Sequence, residues 1–195
     1  MLEAMNTSAA RAPKSRGFTL IELMVVVALA AVLLSLAAPS FTGFLAKKRV
    51  EGVLSELTTD LQYARSEAVS RNAPVRISFG TYCYVITAQP ADGTTPTSSC
   101  SQTANPTLGT GATNVKQVQL KSGSTASFDS SSLSWLELDP VRGLATFSTG
   151  ATSGSIPVNS SVGSWQLQAQ VCTMGRVSVC SPNSSVAGYP SSCTC

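Results

Sequence analysis

Apolar and polar residues alternate along this chain in three different ways, and each texture predicts a different element. From Phe18 to Ala38 nearly every side chain is aliphatic, and Glu22 is the one ionisable residue in the run. As a helix rising about 1.5 Å per residue, such a segment is roughly 31 Å long, the thickness of a bilayer's hydrocarbon core. Beyond it, Leu54, Leu57, Leu61, Ala64 and Ala68 recur at spacings of three and four, the stripe of an amphipathic helix. Lys48, Glu51, Asp60, Arg65 and Glu67 are expected to lie away from that stripe. Pro39 should bend the helix without ending it, and Asn72 with Pro74 should stop it. One helix of roughly 50 residues follows at that rise, its first half in lipid and its second half packed on a sheet.

From Val75 the period shortens to two. Val75–Phe79 and Tyr82–Thr87 flank Gly80-Thr81, a tight hairpin. Gln89–Thr113 is rich in Ser, Thr, Pro and Gly and reads as a long loop. Further strands are predicted at Val115–Leu120, Ala126–Phe128, Leu133–Leu138 and Leu144–Phe147, the last two joined by an Asp139-Pro140-Val141-Arg142-Gly143 turn. Trp165–Cys172 and Arg176–Cys180 flank Thr173-Met174-Gly175 as a final hairpin. The tail from Ser181 to Cys195 has little periodicity. The fold class is therefore α+β, a long N-terminal helix packed on an antiparallel β-sheet domain.

Cysteine placement adds a compartment. All six cysteines (Cys83, Cys100, Cys172, Cys180, Cys193 and Cys195) follow the apolar segment. None forms a CxxC pair and the chain has no histidine, which argues against a zinc site. An even number on one side of a membrane points to disulfides in an oxidising compartment, the periplasm or cell surface. Cys83 with Cys100 is the favoured pair, with Cys193 or Cys195 tied back to Cys172 or Cys180. Basic residues flank both ends of the span, Arg11, Lys14 and Arg16 before it and Lys47, Lys48 and Arg49 after it. Positive charge alone thus leaves the orientation open. The cysteines decide for a cytoplasmic N-terminus and a periplasmic C-terminal domain. Lys47-Lys48-Arg49 suits the membrane edge, where acidic headgroups lie.

A carboxylate in lipid is costly and marks a functional residue by default, although a simple anchor with Glu22 reaching for the interface is the plain alternative. The polar stretch Met1–Arg16 runs directly into Gly17-Phe18. A secretory signal would be cut after its apolar segment, whereas the only plausible cut here lies before it. The stretch GFTLIELMVVVALAAVLLSLAAPSF resembles the type IV prepilin signal and N-terminal helix. That resemblance implies cleavage by a prepilin peptidase between Gly17 and Phe18, and N-methylation of Phe18. It also implies a role for Glu22 in pairing with the terminal amine of a neighbouring subunit. A buried carboxylate and a buried ammonium each need an opposite charge, which fits that role.

The helix sequence LQYARSEAVSRNAPV, the DPVRG turn and the final GRV hairpin extend the resemblance to the FimT/GspH family of minor pilins and pseudopilins. A pilin-like fold is then implied, divided into a leader (1–17), a transmembrane and filament-core helix (18–38), an amphipathic helix (39–73) and a periplasmic β-rich domain (74–195). The implied function is that of a structural subunit of a type IV pilus or a type II secretion pseudopilus. Its implied partners are the prepilin peptidase, major and minor pilins or pseudopilins, the inner-membrane assembly platform and membrane lipid. Within the family, some minor pilins bind DNA during natural transformation through a C-terminal GRxR motif. Here the matching positions read Gly175-Arg176-Val177-Ser178, with serine in place of the second arginine. Arg176, Arg142 and Lys121 would be the contacts. From Val50 onward seven basic residues face eight acidic ones, a net charge of −1, without the bias a phosphate-binding surface needs.

Catalysis has little support. Without histidine the usual general base and the Ser/His and Cys/His pairs are missing. Gly109-Thr110-Gly111 has no helix after it to complete a phosphate loop. No cofactor is implied.

Overall fold

A computed structural model describes residues 17–90, 98–100, 105–121 and 123–195. The polar leader through Arg16 and much of the loop after Gln89 lie outside the described residues. The chain divides into two units, Met1–Ser40 and Phe41–Cys195.

Helix α1 spans Leu20–Arg71 and passes through Pro39 without ending. Its start is capped by Thr19, whose Oγ1 accepts the Glu22 backbone N–H at 3.3 Å. It ends at Asn72, which takes the left-handed conformation (φ 48°). The Asn72 N–H then reaches the Val69 carbonyl and the Ala73 N–H reaches the Ala68 carbonyl. These two bonds satisfy carbonyls that the last turn would leave orphaned.

In the second unit the expected stripe is buried. Leu57, Ala64 and Ala68 are fully enclosed, and Val50, Val53, Leu54 and Leu61 join them in the core. Asp60 is a correction, because the sequence places it on the solvated side and the structure buries it at 4 % exposure. Its position borders the stripe, within one turn of Leu57, Leu61 and Ala64, so a sheet broad enough to cover the stripe also covers Asp60.

The β domain holds two antiparallel sheets among the described residues. The first, in the order β3-β2-β1-β5-β6, comprises Thr113–Gln119, Cys83–Ala88, Val75–Gly80, Trp135–Leu138 and Ala145–Phe147. The second, in the order β4-β7-β8-β9, comprises Ala126–Phe128, Ser153–Ser160, Gln166–Cys172 and Val177–Cys180. Alternation assigns one face of β1 (Val75, Ile77, Phe79), β2 (Tyr84, Ile86, Ala88) and β5 (Leu136, Leu138) to the common core.

The β1–β2 hairpin differs from expectation by one residue. Gly80 pairs with Cys83, so Thr81-Tyr82 makes the turn. Gly80 is needed for a different reason: a Cβ there would stand 2.9 Å from the Cys100 sulfur. The glycine lets the Cys83–Cys100 disulfide lie against the strand.

β7 is the strand the pattern hides. Its sequence, SGSIPVNS, carries the Ser, Gly and Pro of a loop, yet Gly154, Ile156 and Val158 alternate inward. Proline is rare in an inner strand because it cannot donate to the ladder. The Pro157 carbonyl accepts the Asp129 N–H, one residue beyond the end of β4. The missing donor therefore points to the side where β4 has already stopped.

Both tail cysteines are tied down. Cys172 bonds Cys195 and Cys180 bonds Cys193, holding the aperiodic tail across β8 and β9.

Candidate functional site

The N-terminal unit offers an apolar rod. Phe18, Leu20, Ile21, Leu23 and Met24 are each at least 60 % exposed, and the large aliphatic side chains through Leu34 are exposed as well. A continuous surface of this kind requires lipid or neighbouring apolar helices to cover it. Among the described residues no single helix is long and apolar enough to cross a membrane. The segments Leu20–Ser35 and Ser40–Arg71 meet that requirement only as a pair, as a broken span.

Gly17, Phe18 and Thr19 precede the helix outside any regular element, and Gly17 is exposed. A Cβ on Gly17 would meet nothing within 4 Å, so the local fold makes no demand for glycine there. Glu22 lies in the first helical turn and is exposed. Thr19 and Glu22 stand in the T-x-x-E arrangement of a capping box, and a carboxylate in this turn is favoured by the helix dipole. The arrangement sets a negative charge one turn from the point where cleavage would expose an amine.

Buried Asp60 and Tyr84, with the partly exposed Lys116 at their edge, form a polar cluster between α1 and the first sheet. The Tyr84 hydroxyl donates to Asp60 Oδ2 at 2.7 Å, and Lys116 Nζ lies 2.7 Å from Oδ1. Burial together with the neighbouring carboxylate pushes the Tyr84 hydroxyl far above the usual phenol range. Such a phenol is a permanent donor, suited to holding a helix on a sheet.

The two motif turns meet on the same helix. Asp139 Oδ1 accepts the N–H groups of Val141 (2.8 Å) and Arg142 (2.7 Å), which holds its carboxyl below the usual range. Gly143 closes that turn at φ 62° and Gly175 closes the β8–β9 hairpin at φ 73°. A Cβ on Gly175 would stand 2.9 Å from the Gly143 carbonyl oxygen and 3.0 Å from Arg65 Nη1. Arg65 thus lies under both turns, which brings the helix motif, the DPVRG turn and the GRV hairpin together. The sequence gives Arg65 no special weight; only the paired turn glycines hint at it.

Two of the three suggested DNA contacts, Arg142 and Arg176, stand on the adjoining turns beside Arg65. Arg142 stands in the DPVRG turn, and Arg176 donates to the Thr194 carbonyl at 2.9 Å. Lys121 lies instead in a groove with Lys48 and Arg49. Ser178, where the motif's second arginine would stand, has a buried hydroxyl without a partner. Among the described residues no group of histidine, cysteine and acidic side chains is placed to hold a metal.

Two family models match. One, described as type II transport protein GspH, covers residues 54–185, from the buried stripe through β9. The other, described as the prokaryotic N-terminal methylation motif, covers residues 12–38 and ends where the apolar run ends. No curated protein and no solved structure matches the chain.

Proposed function

This chain belongs to the GspH family of type II transport proteins, and we propose that it works as a filament subunit delivered from the inner membrane. The coarse part of this reading, a pilin or pseudopilin, follows from the two family matches. The finer part is as follows. A prepilin peptidase cuts between Gly17 and Phe18, Phe18 is N-methylated, and the apolar helix remains in the mature protein. The span rests in the membrane with the disulfide-bonded domain in the periplasm. Assembly moves the rod from lipid into a bundle of like helices.

The observation that carries this is the uncovered apolar rod bearing one acid in its first turn. A rod of this kind lodges in lipid or among helices with equal ease, because lipid tails and leucine side chains are equally apolar. Glu22 then supplies order. Its carboxylate is costly in hydrocarbon until an ammonium of an adjacent subunit approaches. The arriving subunit's Phe18 amine is that group.

Glu22→Val tests the assignment. The variant inserts into membrane at the wild-type level, because a carboxylate has been replaced by an aliphatic group. Its share of sheared filaments falls, as read by immunoblot against the membrane pool. Equal incorporation of the variant would remove Glu22 from assembly.

DNA binding is the weaker reading. Arg142 and Arg176 stand on adjoining turns, but the Thr194 carbonyl engages Arg176, Ser178 replaces the second arginine, and the chain from Val50 onward has no net basic charge. A gel shift at about 0.15 M salt with Arg176→Ala decides it, since phosphate binding at that ionic strength needs several clustered cations. A shift that disappears in the variant would restore the DNA role.

A further inference from the structure

Half of the ten cations beyond the apolar segment form an ion pair with an acid. Lys47 and Lys48 reach Glu51, Arg71 reaches Glu67, Arg76 reaches Glu137, and Lys116 reaches Asp60. Among the described residues Arg49, Arg65, Lys121, Arg142 and Arg176 make no ion pair, and of these Arg49 and Lys121 line one groove of about 840 Å³. Arg49 comes from α1, and Lys121 follows β3. Lys48 lines the same groove, Leu45 and Val162 give it apolar wall, and Ser124 adds a hydroxyl. Glu56 lines an adjoining pocket with the same three cations, but its nearest cation is Lys116, at 4.0 Å.

The groove's place in the sequence narrows what it can hold. Leu45 lies seven residues beyond Ala38. That is about 10 Å of chain at a helical rise, just past a headgroup layer about 5–8 Å deep, to which the long side chains of Lys48 and Arg49 can reach back. Phe41 (60 % exposed), Phe44 (53 %) and Leu45 (51 %) stand open in this same stretch. Aromatic and apolar side chains beside basic ones are the signature of an interfacial surface.

We propose that this groove binds the headgroup of an anionic phospholipid. The phosphate lies between Arg49 and Lys121, with Lys48 at the rim, and the glycerol and first methylenes lie against Leu45 and Val162. The lipid neutralises two cations for which the chain provides no acid, and it fixes the depth of the globular unit at the membrane surface. The inference rests on the membrane anchorage proposed above.

The test uses the full mature chain in detergent micelles, observed by native mass spectrometry with phosphatidylglycerol or phosphatidylcholine added. Phosphatidylglycerol adducts are expected to exceed phosphatidylcholine adducts. Arg49→Gln with Lys121→Gln is expected to weaken phosphatidylglycerol retention by about twentyfold, since each basic residue near an anionic surface contributes on the order of a factor of five. Lys47→Gln, outside the groove, should change it by less than about half that single-residue effect. Equal retention of the two lipids by the wild-type chain would overturn the proposal, as would wild-type retention by the double variant. Displacement of phosphatidylglycerol by equimolar inorganic phosphate would reassign the groove to a free anion. Displacement by a short oligonucleotide would reassign it to nucleic acid, and either result overturns the lipid reading. Flotation with vesicles, run on the same proteins, separates this failure from loss of anchorage: a chain that floats but holds both lipids alike refutes only the headgroup site.

Discussion

Removing the Tyr84 hydroxyl should loosen the grip of α1 on the first sheet more than its single oxygen suggests. Asp60 is buried, and its two oxygens are served by Tyr84 at 2.7 Å and Lys116 at 2.7 Å. Tyr84→Phe keeps the ring and its edge-on contact with Phe128, at 5.5 Å between centroids, and deletes one buried hydrogen bond to a charged acceptor. That bond is worth about 2 kcal/mol. Lys116 is a weaker support, because its side chain is 38 % exposed and water screens the pair, leaving about 1 kcal/mol. A double-mutant cycle separates the two. Asp60→Ala combined with Tyr84→Phe should show a coupling of about 2 kcal/mol, and with Lys116→Met about half of that. The assay is urea unfolding of the oxidised globular unit from Phe41, followed by the fluorescence of Trp135 and Trp165, the chain's two tryptophans. A Tyr84–Asp60 coupling near zero, or one smaller than the Lys116 coupling, would refute this division of labour.

Gly175→Ala should cost about 1–3 kcal/mol in the same assay, from the left-handed backbone and the contact with the Gly143 carbonyl oxygen. Gly123→Ala, also left-handed but with open space around it, should cost only the backbone part, so equal losses at the two sites would remove the Arg65 junction from the account. Acid should weaken the DPVRG turn. The Asp139 carboxyl is held low in the folded state by the N–H groups of Arg142 and Val141. Its stabilising effect is therefore complete above the ordinary carboxylate range and lost as pH falls through the lowered value. Asp139→Asn should flatten the fall in stability between neutral pH and acid, and an unchanged slope would show that this turn does not contribute to it.

The architecture was legible where one period dominated. The stripe from Leu54 to Ala68 fixed the buried face of α1, and Asn72 with Pro74 marked its end because one tolerates the left-handed conformation and the other cannot continue a helix. β7 was hidden because its inward residues include a glycine and a proline interrupts them, so the sequence shows no period of two in hydrophobicity. The division into two sheets was equally hidden, since pairing between β4 and β7 depends on contacts distant in sequence. Asp60 misled because a charged residue at the border of a stripe is buried or solvated according to what the sheet places opposite, here Tyr84 and Lys116. The Cys83–Cys100 pair was readable from the loop it closes, and the tail needed both Cys193 and Cys195 because it has no apolar period of its own. In the candidate site, Glu22 stood out because a lone acid in an apolar run is costly, whereas Gly17 and Phe18 were marked by the polar-to-apolar junction and its resemblance to a prepilin signal. The Arg49–Lys121 groove did not, because its two cations lie on separate elements.

The central claim is that the apolar rod stays in the finished protein with a new amino terminus. Intact mass and N-terminal sequencing of the protein purified from membranes read this directly. The account predicts a chain that begins at N-methylated Phe18 and carries three disulfides. A chain that begins at Met1, or at any residue beyond Ala38, would contradict it.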